Sequence, residues 1–99
     1  MLKGLGVDII EVHRIRGVIQ RRGDRFLNRT YTPREIEYCR AKRNFAASFA
    51  ARFAAKEAAM KALGTGWRRG VRWKDIEVTN APSGKPVLSF YGRAREIME

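Results

Sequence analysis

Acidic side chains are scarce in this sequence: 10 Asp and Glu stand against 21 Lys and Arg, a formal charge of +11 at pH 7 over 99 residues. So unbalanced a surface attracts polyanions, and a phosphorylated cofactor, an acidic protein and nucleic acid are the partners it admits. Cysteine is nearly missing too. The single Cys39 cannot close an internal disulfide and reads as a small apolar residue, which points to a reducing, cytoplasmic setting. The one histidine, His13, has no second metal donor at a suitable spacing, so it reads as a surface residue. No apolar run approaches the length of a membrane span, and Met1-Leu2-Lys3-Gly4 leads straight into strand-like sequence, unlike a signal peptide; a soluble protein is expected. Repeats and low-complexity linkers are absent. The length fits one domain, whose small core makes oligomerisation or a bound ligand an expected contributor to stability.

What the chain does have is alanine, concentrated in Ala50 to Gly66. This stretch has no proline and no glycine before Gly64, so it predicts a strong helix that Gly64 closes. Glu57 and Lys61 lie four apart on one face, and Phe53 precedes Glu57 by the same interval. This spacing fits an ordinary surface ion pair, worth about 0.3–0.5 kcal/mol, and equally a carboxylate and an ammonium presented for use. Ala50, Ala54, Ala58 and Ala62 form a stripe without long side chains, along which another element can approach closely.

Leu2 to Ile10 predicts a strand, with Leu5, Val7 and Ile9 facing one way and Asp8 the other. A carboxylate in an apolar strand is costly if buried alone. Asp8 therefore either caps the next helix at the strand end or meets a cation or donor groups. Gly4-Leu5-Gly6 does not continue into a dinucleotide fingerprint, since position 9 is Ile. From Glu11 to about Arg22, Val12, Ile15, Val18 and Ile19 recur at helical spacing, with Arg14, Arg21 and Arg22 opposite. Gly17 costs that helix about 1 kcal/mol of propensity, and Gly23-Asp24 ends it. The arginine face, which runs on through Arg25 and Arg29, is either simply solvated or a docking surface for an acidic partner.

Thr32-Pro33-Arg34-Glu35 is a helix start with Thr32 as N-cap, Pro33 in the first turn and Glu35 closing a capping box; a short helix to about Arg40 follows. Lys42-Arg43-Asn44 is a polar break before the long helix. Beyond it, Gly64 to Gly70 is a glycine-rich basic loop, read either as a phosphate cradle or as a plain helix cap and turn. Trp73 to Val78 reads as a turn and a strand, Asn80 to Pro86 as a turn-rich connection and Val87 to Phe90 as a second strand, so the pair predicts a hairpin. Helical periodicity resumes from Gly92 to Glu99.

Gly6-Val7-Asp8-Ile9-Ile10-Glu11-Val12 with Arg14-Ile15, Tyr31-Thr32-Pro33-Arg34-Glu35-Ile36, Arg52 to Gly66, Trp73 to Val78 and Gly84-Lys85-Pro86 together resemble the holo-[acyl-carrier-protein] synthase family of 4′-phosphopantetheinyl transferases, in order and spacing over nearly the whole chain. The resemblance implies an α+β fold, with a long central helix packed on a small antiparallel sheet. It implies a Mg²⁺-dependent transfer of the 4′-phosphopantetheine arm of coenzyme A to a serine of apo acyl carrier protein, releasing adenosine 3′,5′-bisphosphate. Asp8 and Glu57 would hold the metal, and two carboxylates with water and a diphosphate oxygen are a usual Mg²⁺ environment. Lys61 would reach the diphosphate as a point charge, and either Glu57 or a metal-bound water would take the serine proton. Gly64 with the loop to Arg69, and Lys85 with Pro86, would face coenzyme A. Arg14, Arg21 and Arg25 would dock the acidic carrier. Family members continue past the Gly92 helix with further strands, including a Ser-His stretch, and act as homotrimers with sites at subunit boundaries; the resemblance thus implies that residues 1–99 are a single domain lacking its C-terminal strands.

A small nucleic-acid-binding protein is the competing class, supported by the charge, the basic helix, and Trp67 and Trp73 near arginines. Against it, no aromatic strand motif of RNA-binding modules and no zinc-finger spacing is present, and DNA reading leaves Asp8 and Glu57 without a role. An inactive assembly subunit is a third class, separable by assay.

Overall fold

The computed structural model describes residues 9–64 and 69–99. Among the described residues, five helices, a 3₁₀ turn and one hairpin follow each other as α1 (Ile9–Arg22), α2 (Asp24–Thr30), α3 (Pro33–Arg40), α4 (Phe45–Ala62), the 3₁₀ turn (Trp73–Asp75), β1 (Ile76–Asn80), β2 (Pro86–Phe90) and α5 (Gly92–Met98). The expected architecture is present: the long α4 packs on α1, α3 and β1, and β1 pairs with β2 in a two-stranded antiparallel sheet.

Two sequence expectations change. Ile9 and Ile10 open α1 and do not end a strand; both side chains stay exposed there, and Ile15 carries the buried face of the helix. The rest of the expected first strand, Asp8 included, lies outside the described residues. The second change is α2, a seven-residue helix between Gly23 and Tyr31 that Phe26-Leu27 alone did not suggest. A helix so short is held by tertiary packing and not by propensity. Leu27 and Thr30 are buried, and Phe26 meets Tyr31 edge-on at 5.8 Å and Phe53 at 6.3 Å.

Tyr31, fully buried, joins the N-terminal helices to α4: its ring lies 4.8 Å from that of Phe49, and its hydroxyl donates to the Phe49 carbonyl at 2.8 Å. Burial raises its phenol above the ordinary value of 10.0. One apolar cluster gathers here from Ile15, Leu27, Tyr31, Cys39, Phe49 and Ala50. A second forms around the other half of α4, from Ala59, Met60, Val71, Ile76 and Ala94.

The capping box at the start of α3 forms as the sequence requires. The Glu35 N–H donates to Thr32 Oγ1 at 3.3 Å, and the Thr32 N–H donates to Glu35 Oε1 at 2.8 Å. Asn44 caps α4 by accepting from the Ala47 N–H at 3.1 Å. At the far end Gly64 takes a φ of 70° and its N–H donates to the Lys61 carbonyl. Ile76 pairs with Phe90 and Val78 with Leu88; β1 is buried on both faces over Ile76–Val78, whereas β2 leaves Val87 and Leu88 largely exposed. The turn into α5 passes so close to Asp75 that a Cβ on Gly92 would sit 3.2 Å from its carboxylate, at a φ of 53° that already disfavours side chains.

Candidate active site

Glu57 stands half-buried on α4, and Lys61 is exposed one turn later. The salt bridges among the described residues include no Glu57–Lys61 pair, so the simple surface ion pair that the spacing allowed is not what forms. Glu57 instead acts across the helix interface on Arg14 of α1. Arg14 Nη2 lies 2.6 Å from each oxygen of Glu11, and its guanidinium stacks over Phe53, 5.8 Å from the ring centroid. The bond to Glu11 raises the Arg14 pKa above its ordinary value, and the charge of Glu57 adds to this. Arg14, Phe53 and Glu57 thus form one corner between α1 and α4.

Asp8, the other carboxylate expected to hold a metal, lies outside the described residues. Among the described residues no group of three His, Cys, Asp or Glu side chains is placed to hold an ion. Glu57 supplies one oxygen donor set near the Arg14 guanidinium. That suits Mg²⁺, which takes one or two carboxylates and completes its shell with water and substrate phosphate; a soft metal would need thiolate or imidazole ligands, and Cys39 is buried elsewhere.

The basic residues divide between two sites. Arg21 lies back over its own helix: a Cβ on Gly17 would come within 3.1 Å of its Nη1, so the glycine makes room for the guanidinium. Arg25 lines a cleft of about 360 Å³ with Arg22 and Arg29, floored by Phe26, Phe53 and Trp73. Phe53 belongs to both the cleft and the Glu57 corner, so the two are contiguous. On the other side of α4, Ala54, Ala55, Ala58, Ala59 and Ala62 face Pro86 and Leu88 across an open groove of about 500 Å³. No described element closes over it, so the expected close approach along the alanine stripe is realised only at Ala50, which is buried. Pro86 therefore borders α4, whereas Lys85 sits exposed at the hairpin turn, its carbonyl accepting from the Ala81 N–H at 2.8 Å. Gly64 is exposed where α4 ends, and the loop that follows it lies outside the described residues from 65 to 68.

Sequence reasoning missed a buried polar cluster directly behind this corner. Lys56 Nζ, fully buried, lies 2.9 Å from Glu35 Oε1 and donates to the carbonyls of Trp73, at 3.0 Å, and Ile76. Burial pushes the ammonium below its ordinary 10.5, while the Glu35 carboxylate pulls it back up. Glu35 Oε2 accepts from the Val78 N–H at 2.7 Å. Beside it Glu77 accepts from Thr32 Oγ1 at 2.5 Å and meets Arg34 at 3.6 Å. A signal was present: Lys56 falls on the stripe of Phe49, Phe53 and Met60, where an apolar residue belongs. Arg52 was missed likewise; it is buried, lies 4.2 Å from the Tyr38 ring centroid, donates to Asn80 Oδ1 at 2.5 Å and leaves its Nε without a partner among the described residues.

The family model of the 4′-phosphopantetheinyl transferase superfamily matches residues 4–98, and the chain belongs to that superfamily. Within it, the similar proteins are holo-[acyl-carrier-protein] synthases. The one from Koribacter versatilis is 58% identical over 99 residues, which cover all of this chain and 79% of that protein. The one from Solibacter usitatus is 56% identical over the same 99 residues, again 79% of its length. The crystal structure of the Helicobacter pylori enzyme in complex with coenzyme A matches 86% of this chain and 71% of its own, with a TM-score of 0.74 at 30% identity. No helix among the described residues is long and apolar enough to cross a membrane.

Proposed function

We infer that this chain, as one domain over residues 1–99, carries the holo-[acyl-carrier-protein] synthase reaction: the 4′-phosphopantetheine arm moves from coenzyme A to a serine hydroxyl of apo acyl carrier protein. The new bond joins the serine oxygen to the β-phosphorus, the diphosphate bridge breaks, and adenosine 3′,5′-bisphosphate departs with the electron pair. The observation that carries this reading is the Glu57 corner, contiguous with an arginine cleft, in a chain 58% identical along its whole length to one such synthase.

Phosphoryl transfer of this kind asks little covalent work of the protein and much positioning and charge. Glu57 and Asp8 are the carboxylates for Mg²⁺, which when bound withdraws charge from the diphosphate. Lys61, one turn from Glu57 and exposed, meets the same diphosphate with a mobile ammonium. Glu57 is also the carboxylate at hand for the serine proton. Pro86, which lines the alanine groove, with the exposed Lys85 beside it in sequence and Gly64 just past the end of α4, suits the rest of coenzyme A. Arg14, Arg21 and Arg25 suit an acidic carrier, and the aromatic residues of the cleft that Arg25 lines with Arg22 and Arg29 give an apolar side chain of that carrier somewhere to lie. We place the enzyme in the cytoplasm and expect the family's homotrimer, with sites at subunit boundaries.

Incubation with apo carrier protein, coenzyme A and Mg²⁺, followed by intact mass, tests the reading: one phosphopantetheine is gained per carrier. No gain, together with salt-sensitive binding to arbitrary duplex DNA, would move the chain to the nucleic-acid class. Reversing charge at Arg25 (Arg25→Glu) is expected to raise KM for the carrier about tenfold and leave kcat near its original value, because such charges act on encounter and orientation. Steady-state kinetics against carrier concentration check this, and an unchanged KM would remove Arg25 from the docking surface.

A further inference from the structure

α4 has an unusual weakness for a helix that must aim a functional side chain. Between Phe53 and Met60 it offers, besides Glu57, only Ala54, Ala55, Lys56, Ala58 and Ala59. Alanine faces slide and rotate against their neighbours at small cost, because no knob enters a hole. The two apolar clusters grip α4 at Phe49, Ala50 and Phe53 on one side of this stretch, where Arg52 also reaches Tyr38 and Asn80, and at Ala59 and Met60 on the other. At the middle the only long side chain reaching inward is Lys56.

Its contacts run to three separate elements. Lys56 Nζ binds Glu35 in α3 at 2.9 Å, the Trp73 carbonyl in the 3₁₀ turn at 3.0 Å and the Ile76 carbonyl in β1. Glu35 is itself fixed by the N–H groups of Thr32, at 2.8 Å, and Val78, at 2.7 Å. Acceptors from three directions around a buried cation define one position for it. A buried pair of this type is a weak source of stability and a better source of uniqueness, since a misplaced ion has no alternative partner.

We propose that Lys56 and Glu35 are positioning residues that set the rotation of α4 about its axis and thereby the place of the neighbouring Glu57 carboxylate; this rests on the reading of Glu57 as a group that acts in the transfer. With side-chain tips about 5–6 Å from a helix axis, a turn of about 20° carries the carboxylate about 2 Å. A displacement of even about 1 Å at a reacting centre costs up to about 10²-fold in rate.

The test removes both charges at once, with Glu35→Gln and Lys56→Met together, so that neither is left buried alone. A milder variant, Glu35→Asp, keeps both charges and draws the acceptor back by one methylene. Each is compared with the wild-type chain by crystallography, thermal melting and steady-state kinetics. In whichever variant melts cooperatively, α4 is expected to be rotated, with Glu57 displaced, and kcat to fall about 10–100-fold while KM for coenzyme A and carrier stays within about twofold. A pair that merely stabilised the fold would lower the melting temperature and leave both the rotation and the kcat of the folded enzyme unchanged, and that result overturns the proposal. The rotation decides the matter by itself: a wild-type chain that transfers nothing counts against the proposed function, while an unrotated α4 counts against this inference alone.

Discussion

Glu57→Gln is expected to abolish phosphopantetheine transfer while leaving the fold intact. The substitution keeps the shape of the side chain and removes its charge. If Glu57 is one of two carboxylates holding the ion that neutralises the diphosphate, several kcal/mol of transition-state stabilisation disappear with it, which is about 10³-fold or more in rate at about 1.36 kcal/mol per decade. Nothing comparable is lost from the folded state. Glu57 is half-buried, forms no salt bridge with Lys61, and gives way to a residue of nearly equal helix propensity. A change at such a position falls within about 0.5 kcal/mol, or a few degrees in the melting temperature of a domain this size. Intact-mass assay and thermal melting on one preparation check both halves. A variant that melts like the parent and still transfers at a tenth of its rate would remove Glu57 from the chemistry.

Glu57 could be singled out from sequence because its chemistry is local: a carboxylate four residues from a lysine and four from an aromatic, on a helix that alanine makes obvious. The capping box at Thr32 and Glu35, the polar break before α4 and the hairpin were legible for the same reason, since each is written in adjacent residues. What could not be read was anything that depends on two distant segments. Glu35 shows in sequence only as the last member of a cap; that its other oxygen meets Val78 and that Lys56 comes to rest against it are facts about how α3, α4 and β1 pack. The helix α2 escaped notice because seven residues carry barely two turns of periodicity, and its stability comes from Tyr31 and Phe53 lying against Phe26. Arg52 and Lys56 both sat inside a run that reads as surface decoration on an alanine helix. Both turned inward, because each found acceptors on β1 or its margins.

Lys56→Ala is expected to come close to unfolding the chain. Removing one partner of a buried pair leaves the other as an unpaired charge away from water, and such deletions cost about 3–5 kcal/mol, against a total stability of about 5–15 kcal/mol for a domain of ordinary size. Here the loss also frees the carbonyls of Trp73 and Ile76 of their donor and opens space between the two apolar clusters. At about 4–8 °C per kcal/mol the melting temperature should fall by about 12–40 °C. Alkaline pH gives the effect a signature of its own. Since burial holds the folded ammonium below 10.5, the unfolded chain carries a proton in the window between that lowered value and 10.5 that the folded chain has released, so the contribution of Lys56 to stability rises with pH there. Tyr31, whose phenol burial raises above 10.0, and Cys39, whose thiol burial raises above 9.0, act with the opposite sign: beyond those ordinary values the unfolded chain loses protons the folded one keeps, and their contributions decline. Urea unfolding of parent and variant across the alkaline range separates the two, because the variant retains only the decline. A Lys56→Ala protein that melts within a few degrees of the parent would mean that Glu35 finds another partner, and that the buried pair is not what joins α3, α4 and β1.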